Sequence, residues 1–140
     1  MTDALLTRTA EYALRAMACV AGVVDPPVRA VDIAACSGVP RSYLSKILRQ
    51  LVVAGLLNSR KGHHGGFTLA RPATRISLLD VLVAVDADPL AERCAFGWGL
   101  CDAADPCAVH GVWDRLREQF RSWAQQHSLA DLDLDRLETE

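Results

Sequence analysis

Residues 39–71 constrain the fold most, because an amphipathic helix is followed there directly by a tight basic hairpin. Apolar side chains recur at the i, i+3, i+4, i+7 spacing of one buried helical face, at Leu44, Ile47, Leu48 and Leu51. Pro40 suits the first helical position, and Gly55 suits the left-handed backbone that ends a helix. Residues 56–60 and 67–71 then read as two short strands, joined by the glycine-rich segment 61–66. The pattern predicts a recognition helix with a wing.

The opposite face of this predicted helix carries cations and short hydroxyl side chains, which can bond phosphates and base edges. These residues are Arg41, Ser42, Ser45, Lys46 and Arg49. A basic helix face is often only a solvated surface, and glycine-rich hairpins occur in many folds. Helix, glycine stop, strand, basic hairpin and strand in immediate succession are much less common, and they favour DNA binding.

The distribution of charge supports a polyanionic partner for the first half of the chain only. The net charge of the 140 residues is -2, but residues 1–75 hold ten Lys and Arg against four Asp and Glu, which gives +6. Residues 76–140 hold five against thirteen, which gives -8. We therefore expect residues 1–75 to face nucleic acid.

The remaining segments complete a winged helix-turn-helix followed by a long terminal helix. Helices are predicted over residues 3–24 and 31–36, with a turn at 37–39 into the recognition helix. A further helix over residues 76–85 has Ser77 as its N-cap, and residues 86–106 show no helical or strand period. The fold class is mainly α with a small β-hairpin. Three regions follow: a winged-helix DNA-binding domain at 1–85, a cysteine-containing loop at 86–106, and a dimerisation helix with an acidic tail at 107–140.

The terminal helix, predicted to begin at Cys107, carries more apolar area than an isolated appendage can leave in water. Its stripe consists of Val109, Val112, Trp113, Leu116, Phe120 and Trp123. We expect the stripe to pack against a second copy of the chain and form a homodimer; the alternative is that it folds back on its own core. Ser128 and Asp131 beyond it resemble a capping box.

Three cysteines in the irregular segment could hold a soft metal centre. Cys94, Cys101 and Cys107 are followed by His110, three residues after the last cysteine. Thiolates bind iron strongly, and the wide spacing suits an iron–sulfur cluster better than zinc; a reversible thiol switch, zinc or no metal remain alternatives. Cys19 and Cys36 lie in predicted helices, where ordinary buried core thiols are expected. No run approaches the ~20 apolar residues of a membrane span, so we expect a cytoplasmic protein.

Four stretches in this order resemble the Rrf-two family of bacterial winged-helix regulators, over nearly the whole chain. They are LTRTAEYALRAM at 6–17, SGVPRSYLSKILRQLVVAGLL at 37–57, GGFTLARP at 65–72, and ISLLDVLVAV at 76–85 with the three cysteines after it. The resemblance implies a homodimer on palindromic operator DNA with an iron–sulfur cluster, either 2Fe–2S or 4Fe–4S, in the cysteine loop.

The resemblance also implies roles for individual residues. Recognition-helix contacts fall on Ser42, Tyr43, Ser45 and Lys46, and the minor-groove wing contact falls on Lys61 with Arg60 beside it. The cluster ligands are Cys94, Cys101 and Cys107. The IscR-like branch adds a histidine, which fits His110, whereas the NsrR-like branch adds an acidic residue of the first helix, donated across the dimer, which fits Glu11. Six residues separate the first two cysteines, where five is commoner in the family.

The predicted function is a DNA-binding transcriptional regulator whose cluster senses nitric oxide, redox state or iron–sulfur status. Two alternatives use the same fold: a cluster-free thiol or disulfide switch, and a winged-helix module that docks a partner enzyme. An enzyme is not expected, because the sequence shows neither paired carboxylates, nor a nucleophile with its base, nor a phosphate loop.

Overall fold

The computed structural model describes residues 6–85, 104 and 108–132. The predicted fold class is confirmed, since the described elements are mainly helical with one two-stranded antiparallel hairpin. In chain order they are α1 (Arg8–Ala21), α2 (Ala30–Ser37), α3 (Arg41–Val53), β1 (Leu57–Arg60), β2 (Gly66–Leu69), a 3-10 turn (Ala73–Arg75), α4 (Leu78–Ala84), α5 (His110–Gln126) and a second 3-10 turn (Leu129–Asp131). None of the helices in these ranges is long and apolar enough to cross a membrane.

The first helix is shorter than the predicted 3–24. The Thr7 hydroxyl accepts a hydrogen bond from the Ala10 amide at 3.2 Å, so α1 begins at Arg8, and Gly22 ends it before the Asp25-Pro26-Pro27 sequence. An N-cap of this kind satisfies an amide that has no partner inside the helix. The buried face of α1, which includes Ala13, Ala16 and Met17, lies at the centre of the core.

The helix-turn-helix consists of α2, a short turn and α3. Gly38 takes the left-handed conformation with φ 70, which glycine adopts without steric cost. The Ser37 hydroxyl donates to the Ile33 carbonyl at 2.6 Å and accepts from the Val39 amide at 3.3 Å, which fixes the turn. Pro40 is extended and caps α3 rather than being its first helical residue. Gly55 has φ 79, as predicted for the residue after the helix.

The wing is the β1–β2 hairpin, in register from Leu57 opposite Leu69 to Arg60 opposite Gly66. A third segment joins it, because Val28 and Phe67 exchange backbone hydrogen bonds of 2.9 and 2.7 Å. Gly66 has φ 147, and a Cβ there would lie 2.6 Å from the Val28 carbonyl oxygen. Only glycine allows this approach, so the wing is tied to the segment between α1 and α2.

The chain after α5 returns to the start of α4. The Leu78 amide donates to the His127 carbonyl at 2.9 Å, and the Leu129 amide donates to the Ile76 carbonyl at 3.0 Å. Ser77 caps α4 in a box with Asp80, as predicted, and Ser128 forms the predicted box with Asp131. Because Leu129 is buried in the core, α5 is anchored to the winged-helix domain at its carboxyl end.

The prediction that Cys19 and Cys36 are ordinary buried thiols is wrong. Cys19 is buried in the core, but its sulfur is bonded to that of Cys36, which is exposed on α2. The pair could not be found from the sequence because the two cysteines lie 17 residues apart. They meet only because the faces of α1 and α2 that carry them are in contact.

Candidate nucleic-acid interface

Helix α3 has one buried face and one exposed face, as its periodicity predicts. Leu44, Ile47, Leu48 and Leu51 are all buried against the core. All predicted contact residues on the helix are exposed: Arg41, Ser42, Tyr43, Ser45, Lys46 and Arg49. The buried face fixes α3 against the core, and the exposed face is accessible for contacts with another molecule.

Arg60 and Lys61 lie at the tip end of β1 and are also exposed. The predicted cations of the site are therefore Arg41, Lys46, Arg49, Arg60 and Lys61. Among the residues that the structure describes, no carboxylate forms an ion pair with any of these five, and the four ion pairs found involve other side chains. Unpaired cations on one helix face and an adjoining hairpin are available for phosphate oxygens.

Tyr12 of α1 was not predicted to have a role, yet it contacts the exposed face of α3. This face, which carries the predicted DNA contacts, is called the reading face below. Its ring lies edge-on to that of Tyr43, with 5.7 Å between the ring centroids. Tyr43 is half exposed, so the pair lies at the border between the core and the exposed face. Tyr12 falls outside the apolar stripe of α1, and its only signal in the sequence was an aromatic ring at a position that periodicity did not require.

The wing tip carries two exposed histidines. His63 and His64 stack edge to face, with ring centroids 5.2 Å apart. The turn below them is closed by a 3.0 Å hydrogen bond from the Gly65 amide to the Gly62 carbonyl. A Cβ on Gly65 would overlap the Arg60 carbonyl oxygen, so the tight turn has no room for a side chain at this position.

The predicted apolar stripe of α5 divides between two neighbouring faces. Arg117 and Ala124 are buried on the inner face, where Phe120 packs against the core. The Arg117 guanidinium is bonded to Asp114 at 2.8 Å. On the outer face Val112, Leu116 and Trp123 keep 56%, 52% and 48% of their surface exposed. One face of the predicted stripe therefore packs on the chain's own core, and the other face is exposed. The predicted contact with a second copy of the chain stays a prediction.

The predicted metal ligands fall into two groups. Cys94, Cys101 and Cys107 lie outside the described residues. His110 is the first residue of α5, which begins three residues later than predicted, and Glu11 lies in the first turn of α1; both are half-buried. Among the described residues, neither side chain has a hydrogen-bonding or ionic partner, and no group of three metal-binding side chains occurs.

Comparison with known proteins shows which family the chain belongs to. The profile of Rrf2, described as an iron-dependent transcriptional regulator, matches residues 6–133. The chain belongs to the Rrf2 family. Rv1287 of Mycobacterium tuberculosis, a proposed HTH-type transcriptional regulator, is 39% identical over 91% of this chain and 80% of its own length. The HTH-type transcriptional regulator IscR of Xenorhabdus nematophila is 37% identical over 91% of this chain and 77% of its own.

Two solved structures share the fold of this Rrf2 chain. IscR of T. potens superposes with a TM-score of 0.73 at 23% identity, covering 97% of this chain and 90% of its own. CymR, the global cysteine regulator of B. subtilis, superposes with a TM-score of 0.72 at 20% identity, covering 94% and 95%. The chain is therefore a winged-helix, DNA-binding transcriptional regulator, and the prediction that it is not an enzyme agrees with its relatives.

Proposed function

We propose that this Rrf2 regulator acts as a homodimer whose operator binding is controlled by an iron–sulfur cluster. The observation that carries the proposal is that α4 ends before residues 86–107 in the chain and α5 begins after them. Val85 at one end is buried in the winged-helix core, and His110 at the other begins the helix with the open apolar face. Ligands in this segment therefore connect the DNA-reading unit to the proposed dimer contact.

The proposed division of the chain follows these elements. Residues 1–85 form the winged-helix DNA-binding domain, 86–106 the cluster-binding segment, and 107–140 the dimerisation helix with its acidic tail. The outer face of α5 supports a dimer, because Leu116 and Trp123 would lose their contact with water against a second copy. Two recognition helices would then address half-sites roughly 34 Å apart, which tolerate little misplacement.

The chemistry of the donor set fits a cluster. Cys94, Cys101 and Cys107 would supply three thiolates, and the fourth ligand would be His110 or, from the other protomer, Glu11. A bound cluster would supply a centre that gains or loses electrons, is lost, or is nitrosylated. His110 is the first choice, because it follows the last cysteine by three residues, and Glu11 is the alternative. Each is half-buried without a bonding partner among the described residues.

The residues proposed to read DNA are those of the exposed face of α3 and of the wing. Their absence of carboxylate partners within the described ranges favours DNA over a partner enzyme as the ligand. A regulator that binds chromosomal DNA must reach the compartment that holds it, and this supports the proposal that the protein is cytoplasmic.

The first experiment is to purify the protein without oxygen and measure visible absorption, iron and acid-labile sulfide. We expect a coloured protein with about one cluster per chain. A duplex selected from a random library would then be titrated with the holo and apo forms at fixed salt. Equal affinity of the two forms would contradict cluster control. A colourless protein after anaerobic reconstitution, with DNA binding sensitive to a thiol oxidant, would instead support the cluster-free thiol switch.

The fourth ligand is tested by comparing His110→Ala with Glu11→Ala under the same reconstitution. Loss of cluster bands in one variant and not in the other identifies the ligand. His127→Ala is the matched control for the histidine change, because His127 lies at the far end of α5 and is paired with Asp131 at 3.4 Å. Glu118→Ala, an exposed acidic residue of the same helix, is the control for Glu11.

A further inference from the structure

A disulfide outside the proposed cluster segment joins α1 to the last turn of α2. The Cα atoms of Cys19 and Cys36 are 6.1 Å apart, which is within the range of about 4.4–6.8 Å that a disulfide spans without backbone movement. The two cysteine residues differ in exposure. Cys19 belongs to the buried core cluster, whereas Cys36 is exposed on the surface of α2.

Cys36 immediately precedes the residues that build the turn into the recognition helix. Ser37 makes both side-chain bonds of that turn, and Gly38 supplies its left-handed residue. The disulfide therefore fastens the carboxyl end of α2 to α1 one residue before the turn. The cross-link is therefore adjacent in the chain to the turn that leads into α3.

We propose that the Cys19–Cys36 disulfide is a reversible modification site that takes low-molecular-weight thiols at Cys36, and that its reduction loosens the helix-turn-helix. This site is independent of the proposed cluster, because none of its residues belongs to segment 94–107. It gives the regulator a second thiol-sensitive element in the DNA-reading unit itself.

The chemistry is thiol–disulfide exchange. A small thiolate attacks the sulfur of the exposed residue Cys36, the Cys19–Cys36 bond breaks, and Cys19 leaves with the electron pair and takes a proton. A second thiolate attacks the small-molecule sulfur of the mixed disulfide and releases Cys36 as a thiolate. Two small thiols are oxidised to one small disulfide, and the protein disulfide is reduced to two thiols. In the reverse direction a small disulfide is the oxidant.

The first test measures stability and the site of attack in a full-length chain with Cys94, Cys101 and Cys107 changed to serine, so that neither cluster nor loop thiols respond. Reduced and oxidised glutathione serve as the probes. We expect the oxidised form to melt about 10 °C higher, because the cross-link restricts the unfolded chain. The added variant Cys36→Ser, at an exposed position, is expected to fold and to show no difference between the two conditions.

Labelling distinguishes the two sulfurs. After reduction, Cys36 is expected to react with an alkylating reagent roughly tenfold faster than Cys19 or more, because Cys19 must wait for the core to open. In a Cys19→Ser variant, oxidised glutathione should leave a mixed disulfide on Cys36, detected as one added glutathione by mass spectrometry. Equal labelling rates, or no mixed disulfide in this variant, would refute the assigned site of attack.

DNA affinity tests the functional part. In the triple-serine chain, we expect a library-selected duplex to bind the reduced form at least roughly threefold more weakly. The loosened helix-turn-helix must become ordered when it binds, and this ordering lowers the affinity. The same comparison in the Cys36→Ser chain should give a ratio of one. Equal melting temperatures and equal affinities in the two redox states would overturn the proposal, whatever the outcome of the cluster experiments.

Discussion

Lys46 is exposed on the reading face of α3, and no carboxylate in the described ranges neutralises it. A lysine that bonds phosphate contributes to all sequences alike. We predict that Lys46→Ala weakens binding to specific and random duplexes by similar factors. In a dimer it should also reduce the slope of log affinity against log salt by about 1.8, since each lost phosphate contact contributes about 0.9.

The control for Lys46 is Arg115→Ala. Arg115 is an exposed cation of α5 whose Nε donates to the Gly111 carbonyl at 3.2 Å, away from the reading face. Fluorescence anisotropy across a salt series would give both slopes. If the two variants lose the same slope, the effect comes from net charge rather than from a contact made by Lys46.

Tyr12 offers a test of positioning rather than of contact. Its edge-to-face pair with Tyr43 links α1 to the reading face, and such pairs contribute about 0.5–1.5 kcal/mol. We predict that Tyr12→Ala lowers operator affinity within that range while the salt slope stays at its original value. Tyr12→Phe keeps the ring and should bind like the original protein. A reduced slope in Tyr12→Ala would instead show that phosphate contacts were lost.

The exposure of the residues opposite the buried face of α3 could be predicted, because it depends on helical period alone. Lys46 and Arg49 follow directly from the apolar spacing of Leu44 and Leu51. Tyr12 and Cys36 could not be predicted in this way. The Tyr12–Tyr43 contact and the Cys19–Cys36 disulfide each join two helices, and no local pattern states which faces of α1, α2 and α3 meet.

The wing is an element whose position depends on one glycine. Gly66→Ala would place a methyl group 2.6 Å from the Val28 carbonyl oxygen at a φ that side chains rarely adopt. We predict a loss of roughly 1–3 kcal/mol in the free energy of unfolding. DNA affinity should also fall, because the Val28–Phe67 bridge that positions the wing is displaced.

Gly111→Ala is the matched control for the wing, since a Cβ there meets no atom within 4 Å and the residue is helical. Alanine favours helices over glycine by about 1 kcal/mol, so this variant should be as stable as the original protein or more so. Chemical denaturation of both variants checks the pair. An unchanged midpoint for Gly66→Ala would contradict the close approach.

Among the elements, those with strong local signals were predicted well and those formed by distant pairing were not. The caps at Ser77 and Ser128 follow from short side chains that satisfy nearby amides. The start of α1 was predicted too early, because the apolar spacing continues on the N-terminal side of Thr7, the residue that caps the helix. The bridge between Ser77 and Ser128 joins residues far apart in sequence, and period carries no information about such a pairing.

At the scale of the whole molecule, the sequence contains one apolar stripe on α5 and the structure contains two faces. Phe120 and Ala124 pack inward, while Leu116 and Trp123 stay half exposed. Periodicity indicates an apolar stripe but not what covers it, so only the structure shows which of its side chains pack on the chain's own core. Dimer formation through the exposed side chains stays a prediction. The anchored carboxyl end of α5 explains the inner face, since Leu129 holds the helix against the core.

The outer face gives the prediction for assembly. Leu116→Glu places a charge in the middle of the open apolar surface, where burial against a second copy would leave that charge without water or a partner. We predict a shift from dimer to monomer by sedimentation velocity at micromolar concentration. Operator affinity should fall because two half-sites are no longer bound together. Helical circular dichroism and the melting curve should show that the monomer is folded.

Gln125→Glu adds the same charge to α5 at an exposed polar position away from Val112, Leu116 and Trp123. This control is expected to stay dimeric and to bind DNA with nearly the original affinity. If Leu116→Glu also remains dimeric, the outer face of α5 is not the dimer contact. If both variants dissociate, added negative charge on the acidic half of the chain, rather than loss of apolar contact, separates the protomers.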